Sequence, residues 1–284
     1  MRRTDFVEFY ITNVCNLSCD GCNRFNNLNL TGHEDWNAHR SSYEHFLKHV
    51  RCESISVLGG EPLMHPMINN ILRDLRNFFP SRMIKVVTNG LLIHKIKGFW
   101  QTVCENNIKL DINIHNNGWR LPVYNNLVKL IGGKVKLNWM RDRYGFRAWF
   151  EHEGVKHDFT LSEKFTQNAL SDPQGKLTPY NSDREKAWQA CYSKCPTIAE
   201  GKFFKCPVSH SMPVAVRQRN DIDYTESQKK LIDSFPFIKC EDIQNISIEG
   251  FNAFVNNSIK QCRLCPEKFS THNINEQKIS KNYF

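Results

Sequence analysis

Three cysteines, Cys15, Cys19 and Cys22, fall within eight residues as C-x3-C-x2-C. Thiolates at this spacing can wrap one soft metal centre, and an iron-sulfur cube held by only three of them leaves one iron free to take another ligand. The same sulfurs can also hold zinc, with His33 or a distant group as the fourth ligand. A second group, Cys191, Cys195, Cys206, Cys262 and Cys265, lies near the other end of the chain. Four of these thiolates suffice for either zinc or an iron-sulfur centre.

Eleven cysteines is an odd count in 284 residues. The amino terminus turns polar before an export-type apolar core forms, and no stretch reaches the length needed to span a bilayer. A cytoplasmic protein in a reducing compartment is therefore expected, with thiolate ligation favoured over disulfides and no membrane partner. The formal charge of +9 favours a polar or anionic small molecule as substrate. Nucleic acid is the less favoured partner, because the short basic segments near Arg2 and Arg141 form no base-reading module.

Other polar residues stand at strand ends. Gly59 and Gly60 remove side-chain bulk where backbone can approach a ligand, either could take a positive φ, and Glu61 follows directly. Thr88 and Asn89 close a strand; Asp111, Asn113 and His115 alternate along the next, sharing one sheet face, and Lys136 and Asn138 repeat the pattern on a fifth. Such groups can bind ribose hydroxyls or a carboxylate, or simply cap strand ends. No carboxylate pair or Ser-His-Asp arrangement suggests hydrolysis.

The elements that must position these residues alternate. Strands are expected at Val7 to Thr12, Ile55 to Leu58, Ile84 to Val87, Ile108 to Ile114 and Val135 to Trp139. Helices are expected from a cap at Ser41 or Ser42 to Val50, from Pro66 to Phe79, from Leu91 to Trp100 and from Val123 to Ile131. This order predicts a parallel α/β sheet whose loops share one rim. Residues 141 to 183 lose periodicity and read as irregular surface packed by isolated aromatics, and a smaller second domain is expected from 186 to 284.

CNLSCDGC resembles the cluster motif of radical S-adenosylmethionine (SAM) enzymes, and LGGEP at 58–62 resembles their glycine-rich SAM-binding motif. The resemblance runs to about residue 185. It implies an α/β fold built as a partial (β/α)6 TIM-like barrel over residues 1–185, with a 4Fe-4S cluster on Cys15, Cys19 and Cys22 and SAM on its open iron. Gly59, Gly60, Glu61, Thr88, Asn89, Asp111, Asn113, His115, Lys136 and Asn138 are the candidate cofactor-binding residues. Gly21 stands where the family commonly has an aromatic residue, and Phe25 is the nearby candidate to replace it.

The GKFFKCP segment resembles the hairpin of SPASM or twitch auxiliary-cluster domains. This implies a small carboxyl-terminal cluster domain over 186–284, with a second 4Fe-4S cluster on Cys191, Cys206, Cys262 and Cys265 and Cys195 unassigned. A single late centre fits the twitch-like form, since no cysteine follows Cys265. Cys52, Cys104 and Cys240 are expected to be free thiols. The implied activity is reductive cleavage of SAM to a 5′-deoxyadenosyl radical, with flavodoxin or ferredoxin as electron donor. Hydrogen abstraction from a sugar or nucleotide-linked sugar is the favoured outcome. Modification of a peptide or nucleic acid is the alternative enzyme reading, and a noncatalytic zinc-binding interaction protein the alternative of another class.

Overall fold

The computed structural model describes residues 1–19, 21–114, 117–133, 135–142, 145–162, 164–166, 170, 177–268, 271–273 and 278–279. In the first part of the chain, strands β1 (Arg2–Tyr10) and β2 (Leu17–Ser18) precede helix α1 (Trp36–His49) and strand β3 (Val50–Leu58). Helix α2 (Ile68–Phe78), β4 (Met83–Thr88), α3 (Phe99–Glu105), β5 (Lys109–Ile114) and α4 (Arg120–Ile131) follow. Next come β6 (Asn138–Asp142), β7 (Gly145–His152), β8 (Val155–Ser162) and β9 (Lys164–Thr166).

The remaining elements are α5 (Arg184–Ala190), β10 (Thr197–Ala199), β11 (Lys202–Phe204), α6 (Pro207–Gln218) and α7 (Glu226–Asp233). They end with β12 (Phe237–Lys239), α8 (Ile248–Asn256), β13 (Thr271–Asn273) and β14 (Lys278–Ile279). One ten-stranded mixed sheet runs β12-β11-β10-β1-β3-β4-β5-β8-β7-β6. The strands from β10 to β8 in that order are mutually parallel, and antiparallel strands extend both edges. The fold is α/β, with a smaller helical, cysteine-bearing region at the carboxyl end.

The helical period explains how α2 seals the sheet: Ile68, Ile71, Leu72 and Leu75 lie on one buried stripe. They join a core with Val7 and Phe9 of β1, Ile55 and Val57 of β3, and Ile84 and Val86 of β4. These strands carry apolar residues on a covered face, as parallel strands under helices must.

Four expectations need correction. Helix α1 begins at Trp36, because Asp35 caps it by accepting the Ala38 N–H at 3.2 Å, not Ser41 or Ser42. Residues 91–98 are turns, and the helix starts only after Gly98, whose φ of 72° breaks the preceding segment. Val135 to Trp139 does not supply the next parallel strand. That place beside β5 belongs to β8, part of a hairpin within the stretch read as irregular, whose turn takes positive φ at Glu153 and Gly154. Strand β6 sits instead at the antiparallel edge.

The sheet also crosses the expected domain division at 185/186, because β10 pairs in parallel with β1. Ile198, Phe203, Ile238 and Phe251 share the core of the first strands. A separate cluster joins Phe25, Leu28 and Leu30, just after the first cysteines, to Val208, Met212 and Leu264. The two cysteine-bearing regions are thus tied by common apolar packing.

Candidate functional site

Strand β1 ends at Tyr10, and the loop beyond it carries the three cysteines. The β1–β3 pairing continues past the strand ends: Gly60 N–H donates to the Thr12 carbonyl at 2.7 Å and Glu61 N–H to the Val14 carbonyl at 2.9 Å. A methyl group on Gly59 would stand 2.6 Å from the Thr12 oxygen, and one on Gly60 2.3 Å from the Val14 oxygen. These glycines therefore let two protein backbones meet. Neither takes the positive φ allowed for them above; Gly21 does, at 74°, within the cysteine loop.

Glu61 is the buried anchor of this turn, at 1% exposure. Its carboxylate accepts from Thr88 Oγ1 at 2.7 Å, Asn89 N–H at 2.8 Å and Leu63 N–H at 3.1 Å. Asn89 Nδ2 in turn donates to Asn16 Oδ1 at 2.8 Å, joining the end of β4 to the cysteine loop. Burial pushes the Glu61 pKa up from 4.5 to about 7, against the lowering effect of those donors.

Because the folded state holds this proton more tightly, Glu61 contributes its full stability below about pH 4.5. That contribution is lost as pH rises through about 7. The shift corresponds to roughly 3 kcal/mol. Urea titrations of the cluster-free protein between pH 4.5 and 8 should show this decline. Glu61→Gln should flatten it, whereas an unchanged profile would remove Glu61 as its source.

Cys15, Cys19 and Cys22 line a cavity of about 430 Å³ together with Gly59, Gly60, Glu61, Thr88, Asn89, Asp111 and Asn113. Its volume lies in the range of small-molecule sites. Burial, reinforced by Glu61, raises the Cys15 thiol well above its ordinary range, so binding a metal there must displace a firmly held proton. Among the described residues, no three sulfurs of either cysteine group lie within 4.8 Å of one another.

The sequence reading missed charged residues on the cavity floor. Glu8 pairs with Arg24 at 2.6 Å and Lys85 with Asp111 at 3.2 Å, while Asn113 Nδ2 donates to Asp111 Oδ1 at 3.1 Å. Glu8, Arg24 and Lys85 all line the cavity. The signal was present as a lone charge inside each apolar run, VEFY and IKVV.

Other candidates fall elsewhere. Lys136 is exposed, and Asn138 on the edge strand β6 donates to the Trp149 carbonyl at 3.4 Å; neither lines the cavity. The antiparallel placement of β6 accounts for this. His115 lies outside the described residues. His33 bonds Thr12 Oγ1 at 2.9 Å and does not line the cavity. Phe25 is likewise absent from the lining, being fully buried in the core shared with α6.

The second cysteine group is assembled from helix ends. Cys191 follows α5, Cys206 caps the start of α6, and Cys262 and Cys265 bracket the end of a 3-10 turn. Burial pushes the Cys191 thiol up to about 11, aided by Cys206 and Cys262; burial likewise raises Cys265, aided by Cys206, Cys191 and Cys262. Cys206 contributes to raising Cys191, Cys262 and Cys265 alike. Cys195 instead lines the first cavity, where burial and then Glu8 push its thiol up to about 12. Cys52 and Cys240 are buried in the main core.

The 4Fe-4S single cluster domain family matches residues 6–117. GTP 3′,8-cyclase of Petrotoga mobilis (strain DSM 10674 / SJ95) is 28% identical over 100 residues, which are 33% of this chain and 30% of that enzyme. The match thus spans under a third of the relative's length. BtrN, crystallised with AdoMet and 2-DOIA, has a TM-score of 0.32 at 20% identity, covering 40% of this chain and 47% of that one. Streptococcus suis SuiB bound to precursor peptide SuiA has a TM-score of 0.34 at 22% identity, covering 46% and 30%. Among the described residues no helix is long and apolar enough to cross a membrane. The cysteine spacing and the match to the 4Fe-4S single cluster domain family fall on the same stretch of chain.

Proposed function

We propose that this chain is a radical SAM enzyme that abstracts a hydrogen atom from a polar substrate held in the cavity beside Cys15, Cys19 and Cys22. One observation carries the reading: the three thiols, the Gly-Gly-Glu turn and polar residues from β1, β3, β4 and β5 line a single cavity. When bound, a reduced 4Fe-4S cluster and SAM supply a 5′-deoxyadenosyl radical able to take hydrogen from carbon.

The chain's own residues bind, orient and enclose. Cys15, Cys19 and Cys22 hold the cluster, and an ionised Glu61 favours the ammonium of SAM. Asn89, Asp111 and Asn113 present hydrogen-bonding groups to hydroxyls or a carboxylate, and Thr88 holds Glu61 in place. We assign a second cluster to Cys191, Cys206, Cys262 and Cys265, within a region 186–284 that completes a partial barrel formed by 1–185. Cys195 is left out of that set because it lines the first cavity, beside Glu8 and Arg24.

For the substrate, the charges of the cavity weigh against the anionic metabolite expected from net charge. Its cations are already engaged, Arg24 with Glu8 and Lys85 with Asp111, so a phosphorylated ligand would have to break a pair. A neutral polar group, such as a peptide side chain presents, is the better fit. The related cyclase acts on GTP, which keeps a nucleotide as the competing reading.

After anaerobic iron and sulfide loading, the protein should form 5′-deoxyadenosine from SAM in the presence of a reductant. Cys15→Ala, Cys19→Ala and Cys22→Ala should each reduce this to the level without enzyme. Cys206→Ala and Cys265→Ala should lose the iron of one cluster while keeping the other. No deoxyadenosine from fully loaded protein, across peptide, sugar and nucleotide panels, would refute the enzyme reading. A mass change in the nucleotide alone would refute the peptide preference.

A further inference from the structure

Away from the cysteine cavity, three ligating side chains of different chemistry converge. Cys104 lies in the last turn of α3, and His152 and Glu153 form the end of β7 and the start of its turn into β8. One sulfur, one imidazole nitrogen and one carboxylate oxygen all lie within 4.8 Å of one another. Two segments separated by almost fifty residues therefore meet at a single point.

The backbone fixes this meeting. Glu153 holds φ at 48° and Gly154 at 76°, the paired left-handed conformation of a tight hairpin turn, and a non-glycine residue adopts it at a cost. The His152 ring lies against Trp100, at 5.0 Å between centroids, so α3 supplies both the cysteine and the surface that holds the histidine. Cys104 and His152 are partly buried, while Glu153 reaches from the exposed side.

We propose that Cys104, His152 and Glu153 form a zinc site, with water as fourth ligand, that staples the β7–β8 hairpin to the end of α3. Thiolate, imidazole and carboxylate together suit a borderline-soft ion, and the set excludes calcium or magnesium, which prefer all-oxygen shells. Zinc draws ligand atoms to about 2.0–2.3 Å of itself, so closing the site needs only side-chain adjustment from the observed spacing. The site's role is structural. Strand β8 starts beside this turn and runs parallel to β5, so the turn lies at the amino ends of the parallel strands, whereas the cysteine loop follows the carboxyl end of β1.

The test uses the full chain with both cysteine groups first loaded anaerobically with iron and sulfide. Desalted protein is then equilibrated with zinc against a competing chelator, and iron and zinc are counted together. The expected result is about one zinc per chain with iron unchanged and a higher thermal midpoint. Cys104→Ser and His152→Ala should each weaken zinc binding by more than about tenfold and remove the midpoint rise, with iron unchanged. Glu153→Gln should weaken binding in the same direction while retaining the wild-type midpoint without zinc. Zinc taken up only at the expense of iron, equal uptake by the variants, or no uptake would each overturn the proposal.

Discussion

Gly60→Ala is expected to dislodge the cysteine loop, although the change adds only one methyl group. That methyl would stand 2.3 Å from the Val14 carbonyl oxygen and 2.8 Å from Cys15 Cβ. Both obstacles belong to the segment carrying the first cysteines, and a backbone atom cannot swing aside as a side-chain tip can. Relief requires separating the two chains, which breaks the Gly60-to-Thr12 and Glu61-to-Val14 hydrogen bonds. The expected loss is about 3 kcal/mol, at the upper end for overpacking. Urea denaturation should show it as a lowered midpoint, together with a loss of iron from the first cysteine group. Gly133→Ala is the matched control: no atom lies within 4 Å of its added methyl, so stability should change by less than about 0.5 kcal/mol. Equal behaviour of the two variants would show that the Gly-Gly turn does not fix the loop.

Lys205→Met should produce the second large effect. Lys205 is 2% exposed, and its ammonium donates to the carbonyls of Phe254 and Val255, both at 2.9 Å, in the last turn of α8. Those carbonyls have no partner within their own helix, so the lysine caps it while sitting at the negative end of the helix dipole. Burial lowers the lysine pKa, and the neighbouring Cys206, Cys262 and Cys191 push it back up. Its ring contact with Trp188, at 4.2 Å, adds to the stabilisation of the charge.

Methionine can fill the space of the stem but leaves both acceptors unsatisfied. The net loss should be about 2 kcal/mol, since relief from burying an ammonium offsets part of two charge-assisted bonds. Lys194→Met separates the contributions, because exposed Lys194 shares the Trp188 ring, at 4.4 Å, without the carbonyl bonds. Less than about 0.5 kcal/mol is expected there. If the two variants lose equal stability, the ring contact rather than the helix cap explains the role of Lys205.

The cysteine spacing was legible because three ligands within eight residues need little more than a loop to converge. Glycine pairs at a strand end were equally visible, but their purpose was not. Sequence shows that Gly59 and Gly60 lack bulk, whereas only the fold reveals that the chain meeting them is the 12–15 segment. The same distinction applies to Cys195. Its neighbour Cys191 stands with the late thiols, yet four residues of chain are enough to turn Cys195 toward Glu8 and the first cavity.

Strand order was legible only while sequence neighbours remained neighbours in space. Strands β1, β3, β4 and β5 obey that rule, joined by crossovers that local hydrophobic patterns announce. It fails after α4, where β6 and β7 are passed over and β8 pairs with β5. Register then decided which face each side chain occupies, so Asn138 bonded an edge partner while Lys85, read merely as part of a strand, reached the cavity.

By itself the sequence determined which thiols lie close together along the chain, and which helices and strands can carry them. Tertiary structure decided what faces those thiols, because charge pairs such as Glu8 with Arg24 and Lys85 with Asp111 join residues from separate segments. Short-range spacing is covalently constrained, whereas meetings across the sheet depend on packing and register that no local pattern encodes.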